Sequence, residues 1–244
     1  IQRAKANRRR GLILATPGLV LIDKPTNWTS HDVVAKVRKA VGTKKVGHAG
    51  TLDPLATGLL VLGIESGTKL LTFLVGADKT YEATIRLGQQ TVSDDSESEI
   101  IKHATKEQIT NLSDGEIREG VAKLTGVIMQ TPSSVSAIKV AGKRAYDLVR
   151  SGQEVELKAR EVKVSGFEVL SVNKSESFID VNVRVDCSSG TYIRALARDL
   201  GNALAVGGHI TALRRTRVGH FDVSDANSIE ELGELRFTDL ATAA

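Results

Sequence analysis

The feature that most constrains the fold is a pair of alternating stretches, 162–172 and 179–187, that follow one another at hairpin distance. In the second, Ile179, Val181, Val183, Val185 and Cys187 share one face, the period-two signature of a strand buried on one side. The stretch KTYEATIRLG repeats the pattern with Tyr81, Ala83, Ile85 and Leu87. Short apolar runs at 19–22 and 59–64 add two strands, and a last strand is expected over 213–221. Helices are fewer. One is expected after Ser30 as its cap, with Val33, Val34, Val37 and Val41 inward and Gly42 as its stop. Others are expected over 68–75, from the Ser113/Glu116 capping box to Gly126, over AYDLVRSG, and after SSGT with Ile193, Leu196, Ala197 and Leu200 inward. A Ser228/Glu231 box predicts a terminal helix, and IKVAGKRA a hairpin tip. Strands in hairpin-like succession predict an α+β fold around a largely antiparallel sheet, not a doubly wound one.

Charge divides the 244 residues into three parts. Residues 1–18 open with five cations and are expected to form a flexible basic arm. A body over 19–221, without a visible internal boundary, forms the main domain, and 222–244 is a short acidic segment. A basic body suits a polyanionic partner, though ordinary lysine excess gives the same balance. Apolar residues at 41% and charged ones at 25% exclude global disorder. No apolar run reaches membrane-span length, and one cysteine, Cys187, excludes an internal disulfide and a Cys-cluster zinc site. A monomer in a reducing cytoplasm is expected.

The sequence carries no dinucleotide, phosphate-loop, zincin or nucleophile-elbow motif, and its five histidines lack ligand spacing. No metal or cofactor is therefore expected. The densest stretch is Gly47-His48-Ala49-Gly50-Thr51-Leu52-Asp53-Pro54, a tight loop before a buried strand. Alone, Asp53 reads more readily as a turn cap than as a catalytic carboxylate. A second dense stretch, Cys187 to Arg194, ends a strand and starts a helix, where backbone N–H groups and the helix dipole favour anions. Tyr192 and Arg194 are expected to be displayed there. The segment TVSDDSESE reads as a solvated acidic loop.

At these residues the chain resembles the TruB family, the bacterial tRNA pseudouridine-55 synthases. LVLIDKPTNWTSHDVV resembles the family's first motif, and VGHAGTLDPLATGLLVLGIESGTKL its second. KTYEATIRLG resembles the strand with a base-stacking tyrosine. CSSGTYIRALARDLG, followed by LRRTRVGHF, resembles the third motif and closing strand, and VSAIKVAGKRAYDLVRSG an internal segment. The match runs over about 19–221 in the family's order.

The resemblance implies a mixed, mainly antiparallel sheet flanked by helices, with an active site in a central cleft. It implies that Asp53 is the catalytic carboxylate, Tyr81 the residue stacking on the target uracil, and Arg194 the partner of Asp53. Tyr192 and Leu213 would line the pocket, and His48 would enter the tRNA T loop. Lys24, with Pro25, would support the site. We group Lys24 with Lys143, Arg144, Arg214 and Arg215 as RNA-binding candidates. The implied partner is the tRNA T stem-loop. Isomerising uridine oxidises and adds nothing, so the chemistry needs neither cofactor nor metal.

Two departures stand out. Many relatives read T-D-T-x-D after R-L-G, where this chain has Val92 at the first acidic position. The 23 residues after Phe221 are also too few for the RNA-binding PUA domain that many relatives carry. A non-catalytic tRNA-binding or RNA-folding module is the alternative reading. A glycoside hydrolase is weaker still, since it needs two catalytic carboxylates.

Overall fold

A computed structural model describes residues 16–133, 139–140, 143–144, 157–230, 232 and 235–238. The basic arm up to residue 15 and the expected helix over AYDLVRSG lie outside the described residues. The chain's contacts divide it into two compact units, Ile1–Tyr81 with Leu213–Ala244, and Glu82–Ala212. It passes between them inside two strands, Lys79–Leu87 and Gly208–Val218.

The first unit is built on the strand Thr57–Ile64, whose residues are buried on both faces. It pairs antiparallel with Gly18–Lys24 and with Val46–Ala49, and parallel with Gly208–Val218 through Arg214 and Arg215. At that parallel step Gly58 adopts φ +98°, and a Cβ there would lie 2.2 Å from the Arg215 carbonyl oxygen. Only glycine fits so close an approach. Leu19, Leu21, Leu59, Val61, Leu71, Val218 and Phe221 form one core cluster. The helix Ser30–Val41 buries Val33, Val34, Val37 and Val41 as expected.

Its N-cap, however, is Thr29 and not Ser30. Thr29 and Asp32 complete a reciprocal capping box, which leaves the Ser30 hydroxyl for another task. Of the expected terminal helix, residues 231, 233 and 234 lie outside the described residues. Ser228 lies in a short strand, Asn227–Ser228, parallel to Gly18–Lys24, and its hydroxyl accepts the Glu230 N–H. Phe237–Thr238 pairs with Gly18–Lys24 as well, so this part of the chain supplies partners to a sheet edge that needs them. Glu231 is outside the described residues.

In the second unit Arg160–Lys174 and Ile179–Cys187 form the long antiparallel hairpin read from their alternation, with two register irregularities. Gly126–Gln130 pairs with the outer side of the first of these. The helix Ile193–Ala203 buries Ile193, Leu196, Ala197 and Leu200. Arg86 and Asp180 make a bidentate ion pair at 2.8 Å, and the guanidinium lies 3.8 Å from the centroid of the Phe178 ring. The short hairpin Lys139–Val140 with Lys143–Arg144 is also formed. Antiparallel pairings dominate, as the alternating pattern predicts. Among the described residues no helix is long and apolar enough to cross a membrane.

Candidate active site

The loop carrying Asp53 is fixed from several directions. Ser30 Oγ accepts the Leu52 N–H at 2.9 Å and donates to the Leu52 carbonyl at 3.1 Å, so one buried hydroxyl satisfies both backbone groups before Asp53. The Asp53 carbonyl accepts the Ala56 N–H at 3.1 Å, which closes a turn through Pro54. Asn27 N–H donates to the Pro54 carbonyl at 2.9 Å. Gly50, at φ +77°, lets the chain turn into this loop. Asp53 is half-buried at its tip.

Two buried cations clamp the same loop. Lys24 is 0% exposed, and its ammonium donates to the carbonyls of Trp28 (2.6 Å), Pro25 (2.9 Å) and Pro54 (3.3 Å). Arg215 is 1% exposed and donates to the carbonyls of Leu59 (2.8 Å) and Gly50 (3.0 Å). This corrects the grouping of Lys24 and Arg215 with residues that touch RNA. Both donate to backbone oxygens inside the protein, and these bonds hold the shape of the Asp53 loop. Arg214 remains partly exposed in a bidentate pair with Asp23 at 2.7 and 3.0 Å. Of Lys143 and Arg144 only the backbone pairing is described.

His48 and Tyr81 belong to the same unit. Burial is the main influence on His48 and, with the charges of His31 and Arg215, lowers its pKa below the usual histidine value. A hydrogen bond with the Gly50 backbone opposes that shift. The His31 and His48 rings meet edge-on at 5.8 Å. Tyr81 is 8% exposed, in the strand whose start is tied down at Thr80 by Arg217 Nε (3.0 Å) and the Thr216 hydroxyl (3.4 Å). Leu213 is nearly buried, and its carbonyl accepts a long bond from Thr57 Oγ1 at 3.5 Å.

In the second unit Tyr192 is the N-cap of Ile193–Ala203 and gives no side-chain cap bond. Gln130, fully buried, grips its backbone instead. Tyr192 N–H donates to Gln130 Oε1 at 2.8 Å, and Gln130 Nε2 donates to the Tyr192 carbonyl at 3.1 Å. The Arg160 guanidinium lies 5.0 Å from the Tyr192 ring centroid.

Arg194 is not displayed, as the sequence suggested, but 5% exposed. Its Nη1 donates to the Ser93 carbonyl at 2.8 Å and lies 3.4 Å from Asp95 Oδ2. Thr91, Ser93, Asp94 and Asp95 are buried, so the acidic segment is in part an interior turn and not a solvated loop. Asp94 pairs with Arg198 at 3.1 Å and accepts the Ser133 hydroxyl at 2.6 Å. Sequence reading missed Asp94, Asp95, Ser133 and Arg198. The available signal was the spacing of Arg194 and Arg198, four apart on one helix face, opposite two consecutive acids. Asp53 and Arg194 belong to different units.

Comparison with known proteins fits this arrangement. Residues 38–193 match the model of the TruB family pseudouridylate synthase N-terminal domain, and 194–241 that of the tRNA pseudouridylate synthase B C-terminal domain. A tRNA pseudouridine synthase B from Paenarthrobacter aurescens (strain TC1) is 57% identical over 230 residues, covering 93% of this chain and 73% of that protein. One from Leifsonia xyli subsp. xyli is 60% identical over 215 residues, covering 88% and 71%. Among solved structures, an archaeal box H/ACA Nop10–Cbf5 complex aligns with TM-score 0.65 at 26% identity. A Cbf5–Nop10–Gar1 complex aligns at 0.67 and 28%. Each alignment covers 96% of this chain and 63% of the other. The chain belongs to the TruB family of pseudouridylate synthases.

Proposed function

We propose that this chain isomerises a uridine of tRNA to pseudouridine, that the target is position 55 of the T loop, and that Asp53 is the catalytic carboxylate. The observation that carries the assignment of Asp53 is the set of buried side-chain hydrogen bonds to the backbone of its loop. Ser30, Lys24 and Arg215 hold the backbone on both sides of a half-buried acid, the preorganisation that a positioned catalytic group requires. The reaction breaks C1′–N1, turns the uracil and joins C1′ to C5. N1 gains a proton and C5 loses one, so the atoms balance without a co-reactant. A carboxylate serves such a step by stabilising or attacking the sugar carbon, or by accepting a proton.

Arg194 is the proposed charge partner of Asp53, keeping it ionised. Tyr81 offers a ring to the flipped uracil, whose stacking offsets part of the cost of leaving the loop. His48 takes part in displacing the base, and Tyr192 and Leu213 line the pocket. Lys143, Arg144 and Arg214 are the proposed phosphate contacts. The enzyme acts as a monomer in the cytoplasm.

Tritium release from tRNA labelled at uracil C5 tests the reading. Wild type is expected to release label and form pseudouridine. Asp53→Asn is expected to do neither, while tRNA affinity stays within about tenfold, or ~1.4 kcal/mol. Normal turnover by Asp53→Asn refutes the assignment of Asp53. Tight tRNA binding by a wild type that releases no label favours the non-catalytic module.

A further inference from the structure

The helix Ile193–Ala203 sets Arg194 and Arg198 one turn apart on one face. Opposite them the turn Ser93–Asp95 offers two consecutive carboxylates. Consecutive side chains in an extended strand point to opposite faces, but Asp94 adopts φ +61°, a left-handed conformation that bends the turn. Both acids then meet the helix, Asp95 at Arg194 and Asp94 at Arg198.

The two pairs are not equivalent. Two of the partners of Arg194 are the Ser93 carbonyl and the Asp95 carboxylate, the groups on either side of residue 94. Whatever fixes residue 94 therefore fixes both. Asp94 is held at three points: its carboxylate accepts from Ser133 Oγ (2.6 Å) and Arg198 Nη1 (3.1 Å), and its carbonyl accepts the Ile210 N–H (3.1 Å). Arg198 in turn donates to the Thr131 carbonyl at 2.6 Å and to Asp199 at 3.0 Å. One guanidinium thus ties the acidic turn and the segment after Gly126–Gln130 to the helix that carries Arg194.

We propose that the Asp94–Arg198 pair, anchored by Ser133, is a positioning device for Arg194 in the isomerisation. The proposal rests on the reading of Arg194 as the partner of Asp53. Neither Asp94 nor Arg198 is assigned contact with the substrate. They act by keeping Ser93 and Asp95 where Arg194 needs them. Burial opposes the Asp94 charge and pushes its pKa up despite Ser133, Arg198 and Arg194. A buried acid held against its own desolvation fits a positioning role better than a stabilising one.

Asp94→Asn, Arg198→Met and the double variant test this. Asparagine tolerates the left-handed backbone and keeps an acceptor for Ser133, so the first change removes charge with little strain. Single-turnover pseudouridine formation is expected to slow about tenfold in each single variant, with tRNA affinity unchanged. The double variant is expected to be no slower than either single one. The Arg194 side-chain Nε–H resonance of the free protein, identified by its loss in Arg194→Lys, is expected to shift in Asp94→Asn. Wild-type rates in both single variants, additive losses, or an unmoved Arg194 resonance overturn the proposal. Absence of pseudouridine formation by wild type overturns the proposed function instead, and the Arg194 resonance still decides whether Asp94 positions Arg194.

Discussion

The two units use buried charge in different ways. Around the Asp53 loop, Lys24 and Arg215 spend their donors on backbone carbonyls. Around Arg194, two arginines of one helix face two carboxylates of one turn. A cation on carbonyls fixes the path of the chain, because the oxygens belong to the backbone it holds. A cation on carboxylates sets a local charge balance, and changing one member changes the field at the other. The first arrangement fixes shape, while the second couples position to charge, so they should break differently.

The largest effect is expected at Lys24. Lys24→Met keeps much of the volume but leaves the part-buried carbonyls of Pro25 and Trp28 without the Lys24 donor, and Pro54 with only the Asn27 N–H. Each unsatisfied buried acceptor costs about 1–3 kcal/mol, partly offset because a desolvated ammonium is also removed. A net loss of about 2–4 kcal/mol in urea unfolding is expected, together with loss of turnover as the Asp53 loop relaxes. A loss below about 1 kcal/mol would show that the loop keeps its shape without the clamp.

That contrast also explains what the sequence could reveal. The strands were legible because alternation is a local consequence of one buried face, as in Ile179 to Cys187. The Asp53 loop was legible as a dense Gly/Thr/Asp-Pro turn, but not its clamp. Lys24 and Arg215 look like any surface cations until a fold surrounds them with carbonyls. Ser30 looked like a cap because the competing cap, Thr29, is its neighbour, and only the tertiary bond to Leu52 separates their roles. The segment 91–99 looked solvated because it is acidic. Its burial depends on Arg194 and Arg198, about a hundred residues away, which no local pattern records. The pairing of Ser228 with the edge of Gly18–Lys24 is hidden for the same reason, since that strand lies about two hundred residues away.

A smaller effect, of opposite sign, is expected at Asp94. Its folded-state pKa is raised above the ordinary 3.8, chiefly by burial. The folded protein therefore holds that proton more tightly than the unfolded chain. The associated stability is present below the unfolded pKa and is lost as pH rises through the folded one. Above that window wild type carries a net cost for the charge, and Asp94→Asn does not. Urea midpoints from about pH 4 to pH 7 are expected to move in favour of Asp94→Asn as pH rises. A trend in favour of wild type would mean that Arg198 and Ser133 outweigh burial, and the two units would then differ less than proposed. If the stability trend holds while turnover falls, the charge is retained for the position of Arg194.

The smallest effect is expected at His48, which lies on the loop side but titrates like a charge. Its pKa is lowered by burial first, then by His31 and Arg215, against a hydrogen bond with the Gly50 backbone. Its Nδ1 is buried without a hydrogen-bond partner among the described residues, so protonation there gains no acceptor to offset desolvation. The unfolded chain therefore binds the proton more readily, and stability is lost as pH falls below the ordinary 6.5. His48→Gln keeps a polar side chain and removes the titration. Its stability is expected to vary less than that of wild type between pH 5 and about 6.5, with the two curves parallel above that range. The same variant separates shape from charge in RNA binding. If neutral His48 acts by entering the T loop, His48→Gln weakens tRNA binding equally at all salt concentrations. A salt slope reduced by about 0.7, the value for one phosphate neutralised on a single strand, would instead assign it a charged contact. That result would contradict the lowered pKa and place His48 with the electrostatic elements of the molecule.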